Sequence, residues 1–480
     1  AVSACGDSSD DVQAPGCVVP DAQSPTDSSA IDSSFDAGDA GLDANTDGSV
    51  SDASVDSSVK SDAADATVDA DAAVDPQYQL DCSSNPGLLH PIFTDHMVLQ
   101  RDAAVRLWGC ATADSAVSVT FGAQTLSTKA SASGLWHTSL SPMKEGGPYV
   151  LSVKSGVLTK TVTDVLVGDL WLCSGQSNMA LTVNQSMNAT AEASDSVKYP
   201  TIRLLTVPGG DSQKPRHVFD GTVEWKVAGA TTVPNFSAAC YFFGRELSKS
   251  LKVPMGLINS SVGGTVIEWW MSEKSLGNDP DYGTSAAAVA AGNLPDGGTH
   301  YVTGLFNGKI SPLVPFTLRG MVWYQGESNT GRANQYQRLL SSMIQDWRDQ
   351  FANNDAPFLV VQLPAYLKDQ TTPSEGGWAW LREAQLRAYQ STPHVGLAVT
   401  IDTGYPTDAD AGIGIHPVDK QDVGERLALS ARSVAYGQSI AGIGPIYKSM
   451  KIEGKRIRLS FDNAGTSLMV GEKTPLQPVK

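Results

Sequence analysis

Four short segments of this chain carry side chains whose types and spacing can do chemistry together. In Gly175-Gln-Ser-Asn-Met179, Ser177 follows the apolar run Asp164-Val-Leu-Val-Gly-Asp-Leu-Trp-Leu-Cys173, where small and polar residues replace it. A serine at the C-terminal edge of a parallel sheet becomes a nucleophile once a base and anion-stabilising donors reach it. Ser261-Val-Gly-Gly-Thr-Val-Ile-Glu268 follows a second apolar run, and its glycines let backbone N–H groups approach a substrate oxygen. Trp323-Tyr-Gln-Gly-Glu-Ser-Asn329 follows a third and offers amide and carboxylate side chains. Ile415-His-Pro-Val-Asp419 places His416 directly before a predicted helix with Pro417 at its first position. The positive end of such a helix disfavours imidazolium and keeps the ring available as a base. Each piece alone has a plainer reading: a serine turn capping locally, a Gly-Gly turn, a structural histidine, a glutamate in a salt bridge. Placed together at the ends of strands in one sheet, they point to acyl transfer through a serine.

The elements that must hold these segments are legible as alternating strands and helices from about Thr161 to Tyr436. Strands are predicted at 253–259, 318–325, 358–362 and 395–402, and helices over 235–251, near 378–390 and over 417–436, the last capped by Gly437. Leu339, Met343, Trp347 and Phe351 mark one face of a further helix. Such alternation predicts a parallel sheet with helices on both faces. Before it, Val105-Arg-Leu-Trp108, Val117-Ser-Val-Thr-Phe121, Leu135-Trp-His-Thr-Ser139 and Tyr149-Val-Leu-Ser-Val153 alternate between turn clusters, the pattern of a small antiparallel β-sandwich. After it, residues 447–461 read as a hairpin turning at Glu453-Gly454, the start of a C-terminal β segment that is truncated. The expected organisation is a tail over 1–78, a β-sandwich-like domain over 79–158, the catalytic domain over 159–438 and the β segment over 439–480.

The formal net charge of −17 belongs to the tail. Residues 1–76 hold 17 Asp and one Lys, which leaves 33 basic and 34 acidic residues for the rest of the chain. That near-neutral remainder carries no basic footprint for nucleic acid. The tail is rich in Asp, Ser and Ala and poor in aromatics, so it cannot bury enough apolar surface to order itself. Asp43-Ala-Asn-Thr-Asp-Gly48 matches half of an EF-hand loop, but Ser54 stands at its twelfth position and the match reads as accidental. Val2-Ser-Ala-Cys5 resembles the end of a bacterial lipoprotein signal, which implies a lipidated Cys5, membrane attachment and a cell-surface or periplasmic location; simple secretion is the alternative. Of the six cysteines, Cys173 and Cys240 read as buried thiols, and Cys82 with Cys110 as a candidate disulfide. No metal-ligand spacing is present.

Gly-Gln-Ser-Asn-Met (175–179), Gly-Gly-Thr-Val-Ile-Glu-Trp-Trp (263–270), Trp-Tyr-Gln-Gly-Glu-Ser-Asn (323–329) and Ile-His-Pro-Val-Asp-Lys-Gln (415–421) together resemble the sialate O-acetylesterase family of SGNH hydrolases. Phe93-Thr-Asp-His-Met-Val-Leu-Gln-Arg101 is similar to the start of the β domain that precedes the hydrolase domain there, so the resemblance runs from about Leu88 onward. It implies an SGNH-type three-layer α/β/α fold and removal of acetyl groups from carbohydrates without metal or cofactor. Carried over residue by residue, it implies Ser177 as nucleophile, His416 as base, and the N–H groups of Ser177 and Gly264 with the Gln325 side chain as oxyanion donors. The acid is where the chain departs, because Ile413-Gly-Ile precedes His416 where many relatives have an Asp. Glu327 is favoured for that role and Asp402 is second; Asp408, Asp410 and a backbone carbonyl stay open. Trp269, Trp270 and Tyr405 are candidates for a sugar platform, with core packing as the plainer reading of the tryptophans. Alternative functions are an acetyl esterase for plant polysaccharide (xylan or xyloglucan) and a surface carbohydrate-binding protein that has lost its chemistry.

Overall fold

The structure, a computed structural model, describes residues 80–84, 86–294, 300–367, 372, 375–404, 406–408 and 412–465. The expectations for Cys5, Cys17, the Asp43–Gly48 loop, Tyr405 and Asp410 lie outside the described residues, as does the side chain of Asp408. All described residues belong to one compact unit, 67–480.

The architecture is mixed α/β around a mostly parallel sheet. The strands in chain order are β1 (Val98–Gln100), β2 (Val105–Cys110), β3 (Ala116–Phe121), β4 (Gln124–Lys129), β5 (Leu135–Leu140), β6 (Gly146–Ser155), β7 (Leu158–Gly175), β8 (Ile202–Thr206), β9 (Lys226–Val227), β10 (Met255–Ser261), β11 (Gly320–Tyr324), β12 (Phe358–Val361) and β13 (Val395–Ala398). The central sheet has the order β13-β12-β11-β7-β10-β8-β9, and every pairing in it is parallel except the edge strand β9. Its strands are buried on both faces, so they are continuous apolar runs: Phe358-Leu-Val-Val361 and Trp171-Leu-Cys173 are completely inaccessible.

The helices are α1 (Ser177–Ala180), α2 (Ala189–Asp195), α3 (Ala238–Leu251), α4 (Glu273–Leu276), α5 (Gly283–Ala290), α6 (Ala333–Gln350), α7 (Gly377–Ser391) and α8 (Lys420–Val434). The four-residue spacing read in the sequence is the buried stripe of α6, where Leu339, Met343 and Trp347 have no exposed surface. Helix α8 begins later than its periodicity suggests. Asp419 is the N-cap, its side chain accepting from the Asp422 N–H, so His416 and Pro417 lie outside the first turn. The expectation that a helix end polarises His416 is corrected accordingly.

β7 is 18 residues long and changes partners along its length. Its first half runs antiparallel to β6 and, at Leu166–Gly168, parallel to β1; from Asp169 onward it runs parallel to β10 and from Trp171 to β11. β3 and β4 extend the first half of this sheet, and β2 with β5 form a separate antiparallel ladder. Among the described residues two disulfides are present: Cys82–Cys110, as expected, and Cys173–Cys240. The second overturns the reading of Cys173 and Cys240 as free thiols. Both are fully buried, and pairing of β7 with β10, on which α3 packs, brings their Cα atoms to 5.9 Å. Among the described residues no helix is long and apolar enough to cross a membrane.

Candidate active site

The C-terminal ends of β7, β10 and β11 are adjacent, and each delivers one of the polar segments. β7 ends at Gly175 with φ +138°, a conformation that only glycine adopts without strain. A Cβ there would lie 2.1 Å from the Tyr324 carbonyl oxygen. The chain can therefore turn tightly against β11, and the next N–H, of Gln176, donates to that same carbonyl at 3.1 Å. Gln176 is extended and Ser177 opens α1. As the first residue of a helix, Ser177 has an N–H with no intrahelical acceptor.

Ser177 Oγ lies 2.8 Å from His416 Nε2. The serine is half-buried and the histidine exposed, so the pair opens to solvent on one side. Burial first, and then the Lys420 ammonium, hold His416 below the ordinary imidazole value of 6.5. A base must be neutral to take a proton, so activity should rise with pH through a midpoint below 6.5. A kcat/KM profile for 4-nitrophenyl acetate checks this; a midpoint at or above 6.5 would contradict it.

After β10 the chain passes Gly263, whose Cβ position is 3.4 Å from the Ser177 Cβ. Gly264 follows with φ +74°, exposed, with no heavy atom within 4 Å of its Cβ position. Among the described residues the Gly264 N–H donates to no backbone carbonyl. Open, exposed space thus borders the serine on the side of Gly263 and Gly264.

The third segment lies beneath the surface. Gln325 is fully buried, and its Nε2 faces Gln176 Oε1 at 3.1 Å, Thr265 O at 3.0 Å and Asn329 Oδ1 at 2.7 Å, while its Oε1 accepts from the Tyr336 hydroxyl at 2.7 Å. An amide has two N–H groups, so three acceptors leave none over for a substrate oxygen. The side chain expected to complete the oxyanion site instead ties the β7, β10 and β11 segments together below it.

Glu327, the favoured orienting acid, is buried and accepts from Asn178 Nδ2 at 2.5 Å. Burial pushes its carboxyl up, against the lowering effect of the Asn178 hydrogen bond. Asp402 pairs with Arg426, whose NH2 donates to Oδ2 at 2.8 Å. Among the described residues no carboxylate lies within ion-pairing distance of His416. Two residues the sequence reading passed over fill this layer. Asn178 donates from the same Nδ2 to the Ile415 carbonyl at 2.9 Å, and its Oδ1 accepts from Lys420 Nζ at 2.6 Å. The signals were present, an amide directly after the serine and a lysine four residues after the histidine, but neither type is a catalytic group in itself. Of the tryptophans, Trp270 is completely buried and donates to Thr265 Oγ1, so it belongs to the core. Trp269 is partly exposed and stacks on His300 at 4.9 Å.

Comparison with known proteins agrees with this geometry. Residues 167–431 match the family described as carbohydrate esterase, sialic acid-specific acetylesterase. The human sialate O-acetylesterase is 35% identical over 394 residues, covering 74% of this chain and 72% of its own length. That of Mus musculus is 33% identical over 438 residues, covering 79% and 80%. Among solved structures, a carbohydrate acetylesterase from Xanthomonas citri is 37% identical, covers 78% of this chain and 82% of its own, and superposes with a TM-score of 0.69. With the serine–histidine pair in place, these similarities show that the chain belongs to the sialic acid-specific acetylesterase family of carbohydrate esterases.

Proposed function

We propose that the protein removes O-acetyl groups from carbohydrates through an acetyl-enzyme on Ser177. The observation that carries this reading is the 2.8 Å contact between His416 Nε2 and Ser177 Oγ. Ser177 Oγ attacks the acetyl carbonyl carbon as its proton passes to Nε2. The negative charge that forms on the carbonyl oxygen is met by the N–H groups of Ser177 and Gly264, each such donor worth roughly 3 kcal/mol in the transition state. The bond to the sugar oxygen then breaks, and that oxygen takes the proton from His416. Water next gives a proton to the same nitrogen and attacks the acetyl carbon, acetate leaves, and Ser177 recovers its proton. No step needs a cofactor. Gln325 and Glu327 act from beneath, through Gln176 and Asn178, and neither touches the reacting atoms.

Acetate release from an O-acetylated sialic acid, acetylated xylan, acetylated xyloglucan and 4-nitrophenyl acetate tests the reading. Release from the simple ester and at least one carbohydrate is expected, and the preferred carbohydrate names the substrate class. Tight sugar binding with no acetate from any of them would make the protein a binding module instead.

The reading extends to location and organisation. Two disulfides are consistent with an oxidising compartment and so with export and attachment through a lipidated Cys5. The antiparallel strands of residues 105–155 support the reading of 79–158 as a β-sandwich-like region.

A further inference from the structure

Behind the serine and histidine lies a buried set of groups that does not touch the reacting atoms. Lys420, the first residue of α8, has no exposed surface, yet it carries an ammonium. Around that ammonium are Asn178 Oδ1 at 2.6 Å and the Tyr324 ring, with its centroid at 5.0 Å. The charged and titratable groups that face it are Glu327, Asp419 and His416. Glu327 is reached through Asn178, whose amide accepts from the lysine at one end and donates to the carboxylate at the other. A buried charge is costly unless it is paired and hydrogen-bonded. Asn178 therefore sits as a spacer within a buried pair of opposite charges, and its orientation is fixed by both.

The same amide nitrogen holds the Ile415 carbonyl, so the orientation of Asn178 sets the backbone directly before His416. From the other side the Met187 N–H donates to the Val418 carbonyl at 2.8 Å. The histidine loop is thus clamped between a surface bond and a buried one. We propose that Lys420, acting through Asn178 and with Glu327 as counter-charge, is a positioning residue that holds His416 against Ser177. This rests on the serine–histidine reading above and goes further, since it assigns a role to two residues without chemistry of their own. Burial lowers the Lys420 ammonium to about 7, against the raising effect of Glu327 and Asp419, so the group is charged below that pH, where it opposes imidazolium at His416.

The test is a double-mutant cycle in the full chain, with kcat and KM for 4-nitrophenyl acetate followed against pH. Lys420→Met and Glu327→Gln should each lower kcat about tenfold or more with KM little changed, because each leaves one charge buried without its partner. Lys420→Met should also raise the midpoint of the acidic limb, since a cation that disfavours imidazolium is gone. The double variant should recover part of the loss. Full wild-type kcat and acidic limb in Lys420→Met, or a double variant equal to the product of the singles, would overturn the proposal. Should Lys420→Met fail to fold, Asn178→Ala decides: wild-type kcat there removes the clamp. Ser177→Ala run alongside separates the two readings. Activity surviving in Ser177→Ala overturns the serine mechanism, whereas an inactive Ser177→Ala with an unaffected Asn178→Ala overturns only the positioning role.

Discussion

Ser177→Ala is expected to lower kcat for 4-nitrophenyl acetate by about ten-thousand-fold or more, with folding intact. His416→Ala should do nearly the same, and the double variant should be little worse than either single. A nucleophile and its base act as a unit, so their losses do not add. The 2.8 Å contact is the physical reason, because it places His416 Nε2 where it takes the hydroxyl proton. Activity left in the variants would come from the proposed backbone donors of Ser177 and Gly264, which a missing side chain does not remove. Among the described residues Ser177 contributes this one side-chain hydrogen bond and is half-buried, so its removal should shift the melting temperature by a degree or two at most. Steady-state kinetics with thermal melts of the same preparations check both statements. More than a tenth of wild-type kcat in either variant would remove that residue from the mechanism.

Gly175→Ala should instead damage the fold and the site together. Its φ of +138° is strained for any residue with a Cβ, and the added methyl would meet Tyr324 O at 2.1 Å, C at 2.7 Å and N at 3.0 Å. All three contacts are backbone, so nothing can rotate away. Relief requires β7 and β11 to separate at the point where Gln176 bonds to Tyr324, one residue before the nucleophile. We expect a loss of about 2–4 kcal/mol in unfolding free energy and an activity loss beyond what the unfolded fraction explains. Gly210→Ala, where no atom lies within 4 Å of the Cβ position, is the comparison and should stay within about 0.5 kcal/mol. Denaturant unfolding of the two variants measures this; equal stabilities would show that the tight turn is not required.

What could be read in the sequence was what depends on local pattern. The buried strands are apolar runs, the stripe of α6 has a four-residue spacing, and the serine and glycine segments stand at strand ends, so these positions are legible; the histidine segment instead lies in the loop before α8, well past the end of β13. What was not legible depends on partners distant in the chain. Cys173 and Cys240 looked like core thiols because 67 residues separate them, and only the pairing of β7 with β10 brings them together. Helix α8 was started too early because Pro417 is a good first residue, but Asp419 offers a side-chain cap and the helix begins after it. By residue type Gln325 suits an oxyanion donor and Glu327 the acid that orients His416. The Gln325 amide is instead engaged below the site by Gln176, Thr265 and Asn329, and Glu327 Oε1 by Asn178, while Glu327 Oε2 is buried with no hydrogen-bond partner among the described residues. Asn178 and Lys420 went unnoticed because their importance lies wholly in three-dimensional contact.

The strand that carries the nucleophile is also the spine of the strands that precede it. Gly168 and Asp169 mark the point where β7 exchanges β1 and β6 for β10 and β11, and Arg101 beside β1 grips the Asp169 carboxylate there at 3.0 Å. The two parts are therefore not beads on a string that evolution or an engineer can cut between. Excising residues 80–157 would strip Leu158–Gly168 of its neighbours and leave a bare edge open to pairing with other chains. Heat or denaturant that melts the antiparallel strands pulls directly on the backbone leading into Ser177, so the two parts share one fate on unfolding.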